Sequence, residues 1–148
     1  MHEFCIFISM KRIINTTDIP ALLIRVVTGL IFLSEGLQKY ITPGIAGAGR
    51  FAEIGFSDAA FWAYFTGTFE IVCSILVLIG LFTRLAAIPL FIIMIVAFAT
   101  TKVPILTDKG FGAFTHEYRT DFAMTLLLVY LLIYGGGNNS IDKKLTHN

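Results

Sequence analysis

Residues 59–81 read AAFWAYFTGTFEIVCSILVLIGL, an almost unbroken apolar stretch in which Glu70 is the one charged residue. A helix rises about 1.5 Å per residue, so roughly 20 apolar residues cross the hydrocarbon of a bilayer. Gly80, near the end of the stretch, favours termination of the helix there. The stretch therefore predicts a membrane-spanning helix and makes lipid the expected solvent for the chain.

The overall composition points to the same environment. Of 148 residues, 56% are hydrophobic and 14% are charged, which leaves too few polar side chains to cover a soluble domain. The net charge of +1 gives no basic field that could attract nucleic acid. Cys5 and Cys73 are too far apart for a CxxC pair, and the sequence contains no string of metal ligands. We therefore expect neither nucleic-acid binding nor a metal site.

Four apolar windows along the chain predict four membrane spans. They run from Ile19 to Tyr40, from Ala59 to Leu81, from Leu85 to Thr101 and from Glu117 to Tyr134. The last window ends at three glycines, residues 135–137, through which a membrane helix does not continue. Residues 104–114, with Gly110 and Gly112, are expected to form a flexible loop that could serve as a lid or equally be an ordinary loop. The predicted fold is an all-α, integral membrane, antiparallel four-helix bundle in a lipid bilayer.

The lysine and arginine counts in the flanking segments set the predicted orientation. The side of the termini carries Lys11, Arg12, Arg84, Lys143 and Lys144, and the other side carries Lys39, Arg50, Lys102 and Lys109. This excess, with its two terminal pairs, places both termini in the cytoplasm. We expect a cytoplasmic tail over residues 1–17, of which 1–9 are a candidate upstream extension. After this tail we expect a transmembrane domain over residues 18–142 and a short C-terminal tail over residues 143–148.

Four charged residues lie within or near the predicted spans: Arg25, Glu35, Lys39 and Glu70. A charge near the middle of a bilayer costs about 2.5–3.5 kcal/mol on insertion scales, so each of them needs a partner or water. Glu35 and Lys39 are four positions apart, which is the favourable spacing for an ion pair within one helix. Glu70 has no basic residue within one turn. We therefore expect its partner on the first helix, with Lys39 as the strongest candidate.

An antiparallel arrangement gathers several polar residues in the outer half of the membrane. The candidates for a ligand or proton cluster are Glu35, Lys39, Glu70, His116, Glu117 and Asp121. Intramembrane acids that face a basic group commonly mark a proton, ion or ligand site, and proton exchange with a quinone headgroup is chemically feasible there. The alternative is an ionic clasp that only fixes helix register. The sequence leaves both interpretations open and assigns no catalytic residue.

A second set of residues has a predicted structural role. Gly29 and Gly36 share a helical face with Arg25, and these glycines let another backbone approach closely. Arg84 lies at the turn between the second and third spans, where we expect it to contact the C-terminal segment near Asp142. These five residues are therefore assigned to helix packing and to the turns.

The order of these features resembles the DoxX family. The matching pieces are Arg25 with Gly29, Phe32 through Gly36 to Lys39, Glu70, GLFTRLAA at 80–87, Glu117, and the glycine run into residues 140–142. The resemblance covers residues 20–142. Thr115, His116 and Glu117 replace the family's usual glycine before the acid, and GGGNNSID at 135–142 is a looser form of its closing motif.

This resemblance implies a small four-helix integral membrane protein of the bacterial or archaeal plasma membrane. Relatives include membrane subunits of thiosulfate:quinone oxidoreductase, and others are associated with redox, thiol-stress or quinone-related complexes. Many have no defined activity, so the family does not decide whether the chain is an enzyme. We predict a membrane subunit of a quinone- or thiol-linked redox system, with redox subunits or a second copy as partners and quinone as the candidate cofactor. A small proton- or solute-coupled transporter and a structural subunit are the alternatives.

Overall fold

The computed structural model describes residues 18–146, so the predicted tail over residues 1–17 lies outside it. The helices are α1 (Asp18–Ile41), α2 (Ala48–Ile54), α3 (Ala59–Ile79), α4 (Thr83–Ala97), α5 (Val103–Tyr134) and α6 (Ile141–Thr146). A π-helical turn at Phe98–Lys102 joins α4 to α5 without an intervening loop. The described residues contain no β-strand, which confirms the all-helical part of the predicted fold.

Three stretches of helix are long and apolar enough to cross a membrane: Pro20–Ile41, Ala59–Ile79 and Thr83–Asp108. The first two agree closely with the predicted spans. The third is longer than predicted, because α4, the π-helical turn and the beginning of α5 continue as one helical segment. The fourth predicted window is helical as the second half of α5, but it is not among these three. The count of four spans therefore stays a prediction.

The predicted loop over residues 104–114 is wrong, because this segment is helical. Pro104 is the second residue of α5 and lies directly after the π-helical turn, inside the continuous helical segment. Gly110, with φ 81° and ψ 177°, departs from helical geometry and kinks α5. The segment therefore consists of two helical stretches that meet at a kink at Gly110.

Helices α1 and α3 pack antiparallel at close range. A Cβ placed on Gly29 would lie 2.5 Å from Leu78 Cγ, and a Cβ on Gly36 would lie 2.9 Å from the carbonyl oxygen of Gly67. As the contacts move towards the end of α1, they move towards the start of α3. Because Gly29 and Gly36 have no side chain, the backbones of α1 and α3 can approach each other closely.

The hydrophobic core lies between α1, α3, α4 and the second half of α5. Its buried residues are Phe32, Cys73, Val77, Ala86, Ala87, Leu90, Met124, Leu128 and Leu131. Many large apolar side chains face outward instead, among them Leu23 at 62% exposed and Leu126 at 52%. Apolar side chains on the outside of helices are stable in lipid and costly in water. These faces contact the lipid bilayer.

Candidate functional site

A buried ion pair joins α1 to α3. Lys39 Nζ lies 2.6 Å from Glu70 Oε2, and the two side chains are 10% and 4% exposed. This is the contact expected for Glu70 from the sequence. Gly36 and Gly67 allow it, because a Cβ on Gly36 would lie 3.0 Å from Glu70 Cβ and one on Gly67 would lie 3.4 Å from Lys39 Cβ. The two glycines thus bring an ammonium and a carboxylate into direct contact where solvent has little access.

The ion pair expected between Glu35 and Lys39 is absent from residues 18–146. Glu35 is exposed, whereas Glu70 is 3% exposed. An unpaired charge costs most where it is most buried, so the ammonium of Lys39 bonds to Glu70 rather than to its neighbour on α1. Glu35 therefore lies one turn before Lys39 on α1 but outside the buried pair.

A second ionic group joins the π-helical turn to α5. Lys102 Nζ lies 3.3 Å from Asp121 Oδ2 and 3.8 Å from Glu117 Oε2, and it donates to the Glu117 carbonyl oxygen at 3.2 Å. The Lys102 side chain is 12% exposed and that of Glu117 is 57% exposed. From the sequence, Lys102 was expected in the same outer half as these two acids, but the pairing among the three was not predicted. The signal in the sequence is that Glu117 and Asp121 are four positions apart and so share one face of a helix, which can bind a single lysine such as Lys102.

His116, the remaining member of the predicted cluster, contacts Arg119 on its own helix. Arg119 Nη2 lies 3.2 Å from His116 Nε2, and both residues are exposed. In the part of the chain that the structure describes, no ion pair or hydrogen bond links these groups to Lys39 or Glu70. The outer cluster is thus divided, because Lys102 binds the two α5 acids locally and Lys39 binds Glu70.

Arg25 lies near the start of α1, at the end of the helix opposite to Lys39. It is 2% exposed and binds backbone carbonyl oxygens. Its Nε donates to Val77 O at 2.9 Å, and its Nη2 donates to Leu78 O at 2.7 Å. Its Nη1 donates to Gly136 O at 3.1 Å and to Asn139 O at 3.3 Å. These carbonyls lie near the end of α3 and after α5, where helix termini leave C=O groups without intrahelical partners. Arg25 therefore connects α1 to α3 and to the C-terminal segment.

Arg84 and Asp142 lie at this same end of the molecule. Arg84 Nη2 donates to Ile133 O at 2.8 Å, so this arginine bonds to the last turn of α5. Asp142 accepts the N–H of Phe82 at 2.5 Å and the N–H of Thr83 at 2.9 Å. Its carboxylate thus caps the start of α4, a role usually taken by a residue next to the helix.

The chemistry available at Lys39 and Glu70 is proton and hydrogen-bond chemistry. An ammonium can donate to a ligand carbonyl, and a carboxylate can take up or release a proton. Within residues 18–146, no group of three His, Cys, Asp or Glu side chains could hold a metal ion. Cys73 is buried and free, and Cys5 lies outside the described residues.

The DoxX family model matches residues 21–103, which is more than half of the chain. The chain belongs to the DoxX family. The matched residues include the Lys39–Glu70 pair, Arg25 and Arg84, while Glu117, Asp121 and Asp142 lie beyond them.

Two curated proteins are similar to this DoxX protein over most of its length. One is "Uncharacterized membrane protein Rv3486" of Mycobacterium tuberculosis, 43% identical over 145 residues that cover 93% of this chain and 89% of that protein. The other is "Putative oxidoreductase CatD" of Bacillus subtilis, 32% identical over 127 residues that cover 84% of this chain and 86% of that protein. No solved structure matches the chain significantly.

Proposed function

We propose that this DoxX protein is a membrane subunit of a quinone-linked redox complex. It has four antiparallel spans in a prokaryotic plasma membrane, and the second half of α5 supplies the fourth. The transmembrane domain covers residues 18–142, and the tails over 1–17 and 143–148 lie in the cytoplasm. A partner subunit delivers electrons, and this chain supplies the quinone site. The similarity to a protein named as an oxidoreductase supports the redox assignment.

The buried Lys39–Glu70 pair carries the proposal. Removing two charges from water costs about as much as their attraction returns, so such a pair is a weak source of stability. Ionisable residues inside membranes are more often found at proton or ligand sites. One N–H of the Lys39 ammonium bonds to Glu70, and an ammonium has three N–H donors. The remaining N–H groups are suited to a ligand oxygen.

In the proposed site, Lys39 donates a hydrogen bond to one carbonyl oxygen of the quinone head. Reduction to the quinol takes two electrons from the partner subunit and two protons. Negative charge that develops on the quinone oxygen is stabilised by the fixed ammonium of Lys39. Glu70 transfers protons to the reduced ring, and Glu35, which is exposed one turn away on α1, exchanges protons with the surroundings.

Binding of a short-chain menaquinone analogue to the purified full-length protein tests this proposal. We expect a Lys39→Gln, Glu70→Gln double variant to bind the analogue roughly 10- to 100-fold more weakly, because a charge-assisted hydrogen bond is lost. The double variant removes both charges together, so neither side chain is left as an unpaired buried ion. Isothermal titration in detergent measures the affinity, and thermal unfolding checks that the variant is folded.

Asp121→Asn is the matched control, because it neutralises an acid of the Lys102 group, which has no bond to the buried pair. Its affinity for the analogue should equal that of the unchanged protein. The proposal is refuted if the unchanged protein shows no saturable binding. It is also refuted if the folded double variant binds as tightly as the unchanged protein.

A proton-coupled transporter is the second candidate, since an intramembrane acid also suits proton translocation. In proteoliposomes with an imposed membrane potential, a transporter moves protons without any quinone, and Glu70→Gln abolishes this movement. A pH-sensitive dye inside the vesicles measures it. Absence of both proton movement and quinone binding, together with a double variant that unfolds more easily than the unchanged protein, would leave the pair as a structural clasp.

A further inference from the structure

A cavity of about 730 Å³ lies at the end of the molecule where α4 begins and α5 ends. We call it the basal cavity and define it by Phe82, Thr83, Arg84 and Leu85 on one side and by Tyr134–Gly137, Asn138, Ser140, Asp142 and Lys143 on the other. Its volume falls in the range of about 300–1,000 Å³ that is typical of small-molecule sites. Neither Lys39 nor Glu70 lines this cavity, so it is distinct from the proposed quinone site.

The polar wall of the basal cavity is rich in hydrogen-bond donors. Arg84 and Lys143 are exposed and line it, and the bond from Arg84 Nη2 to Ile133 O holds the guanidinium in place. Within the described part of the chain, neither Gly136 nor Gly137 donates its backbone N–H to an acceptor. A guanidinium, an ammonium and backbone N–H groups are the donors that recognise phosphate.

Two further observations at this wall point to an anionic occupant. Both oxygens of Asp142, the acid in the lining, accept N–H groups at the start of α4, so this carboxylate is already engaged. Thr83 is fully buried in the wall, and its hydroxyl has no hydrogen-bond partner within residues 18–146. The one acid in the lining is therefore engaged by backbone N–H groups, and a buried hydroxyl in the same wall lacks a partner within the described residues.

The other wall of the basal cavity is apolar and faces outward. Phe82 is 58% exposed, Leu85 is 65% exposed and Tyr134 is 66% exposed. These residues lie at the boundaries of helices whose outer faces contact lipid, and aromatic side chains are common at this depth. A free anion gains no favourable contact from such an apolar wall, whereas the acyl chains of a lipid would pack against it.

We propose that the basal cavity binds one anionic phospholipid. The lipid phosphate lies between Arg84 and Lys143 and accepts hydrogen bonds from the glycine N–H groups, while its acyl chains cover Leu85 and Tyr134. Bound in this way, the lipid joins the start of α4 to the C-terminal segment.

Native mass spectrometry of the full-length protein, with phosphatidylglycerol or phosphatidylcholine added in neutral detergent, tests the proposal. We expect preferential retention of phosphatidylglycerol. An Arg84→Gln, Lys143→Gln double variant should lower this preference roughly 10- to 30-fold, because two basic contacts to an anionic lipid are lost. Arg84→Lys, combined with the native Lys143, should keep most of it, since the positive charge remains.

Lys144→Gln is the matched control, because it removes one positive charge beside the cavity from a residue that does not line it. It should leave the preference unchanged, and a melting curve confirms that each variant is folded. Equal retention of the two lipids by the unchanged protein would overturn the proposal, and so would an unchanged preference in the folded double variant. Displacement of the lipid by an excess of inorganic phosphate would show a free-anion site and overturn the assignment to lipid.

Discussion

Replacement of Arg25 is the most direct test of how the helices are held together. One guanidinium donates to Val77, Leu78, Gly136 and Asn139, so α1, α3 and the C-terminal segment meet at a single buried side chain. Arg25→Met keeps an unbranched apolar stem but removes every one of these donors. The carbonyl oxygens near the end of α3 and after α5 then lose their bonds to the guanidinium, although Val77 O keeps the N–H of Gly80 at 3.2 Å.

The expected loss follows from these four bonds. A hydrogen bond from a charged donor contributes about 1.5–3 kcal/mol, so four of them set an upper limit of about 6–12 kcal/mol. The bonds share one group and are not additive, and carbonyls near a helix end can be rehydrated. We therefore expect Arg25→Met to lower the free energy of unfolding by about 3–5 kcal/mol, roughly half of the upper limit or less.

The assay is reversible unfolding in mixed micelles of dodecyl maltoside and dodecyl sulfate, followed by far-ultraviolet circular dichroism. Arg25→Lys should lose less than Arg25→Met, because an ammonium keeps the charge but cannot bond to several carbonyls in a planar fork. Arg84→Met is the control, since it removes one exposed bond and should cost about 1 kcal/mol. The reasoning fails if Arg25→Met costs no more than Arg84→Met.

Two further predictions concern helix packing and orientation. Gly36→Val should lose about 1–3 kcal/mol in the same titration, because even its Cβ would lie 2.9 Å from a backbone oxygen of α3, whereas Gly112→Ala, with nothing within 4 Å, should lose nothing. In a cysteine-free background, an impermeant thiol reagent outside intact cells should label Arg50→Cys but not Lys143→Cys; the reverse labelling would place both termini outside.

The spans of α1 and α3 were predictable from sequence because each is a long apolar stretch with a clear end. The boundary between α4 and α5 was not. Residues 104–114 were predicted to form a loop, but they are helical on both sides of a kink at Gly110. Local signals mark where a helix could end, and packing decides whether it does.

The candidate site was predictable where a residue type demanded a particular partner. Glu70 needed a cation, and Lys39 occupies the facing side of α1. The role of Arg25 was harder to foresee, because its acceptors are backbone carbonyls, which every residue possesses and no motif marks. Glu35 shows the limit of local rules, since the favourable four-residue spacing to Lys39 loses to a more deeply buried acid on another helix.

These contacts also bear on whether the Lys39–Glu70 pair is only a clasp. The register of α1 against α3 is already set at both ends by other means: Arg25 binds the carbonyls of α3 at one end, and Gly36 lies against the α3 backbone near the other. A one-residue slip would break the first contact and force a side chain into the second. An added ion pair contributes little further register, yet it carries the full cost of desolvating two charges. A functional role for the Lys39–Glu70 pair accounts for this desolvation cost better than a role in setting a helix register that other contacts already set.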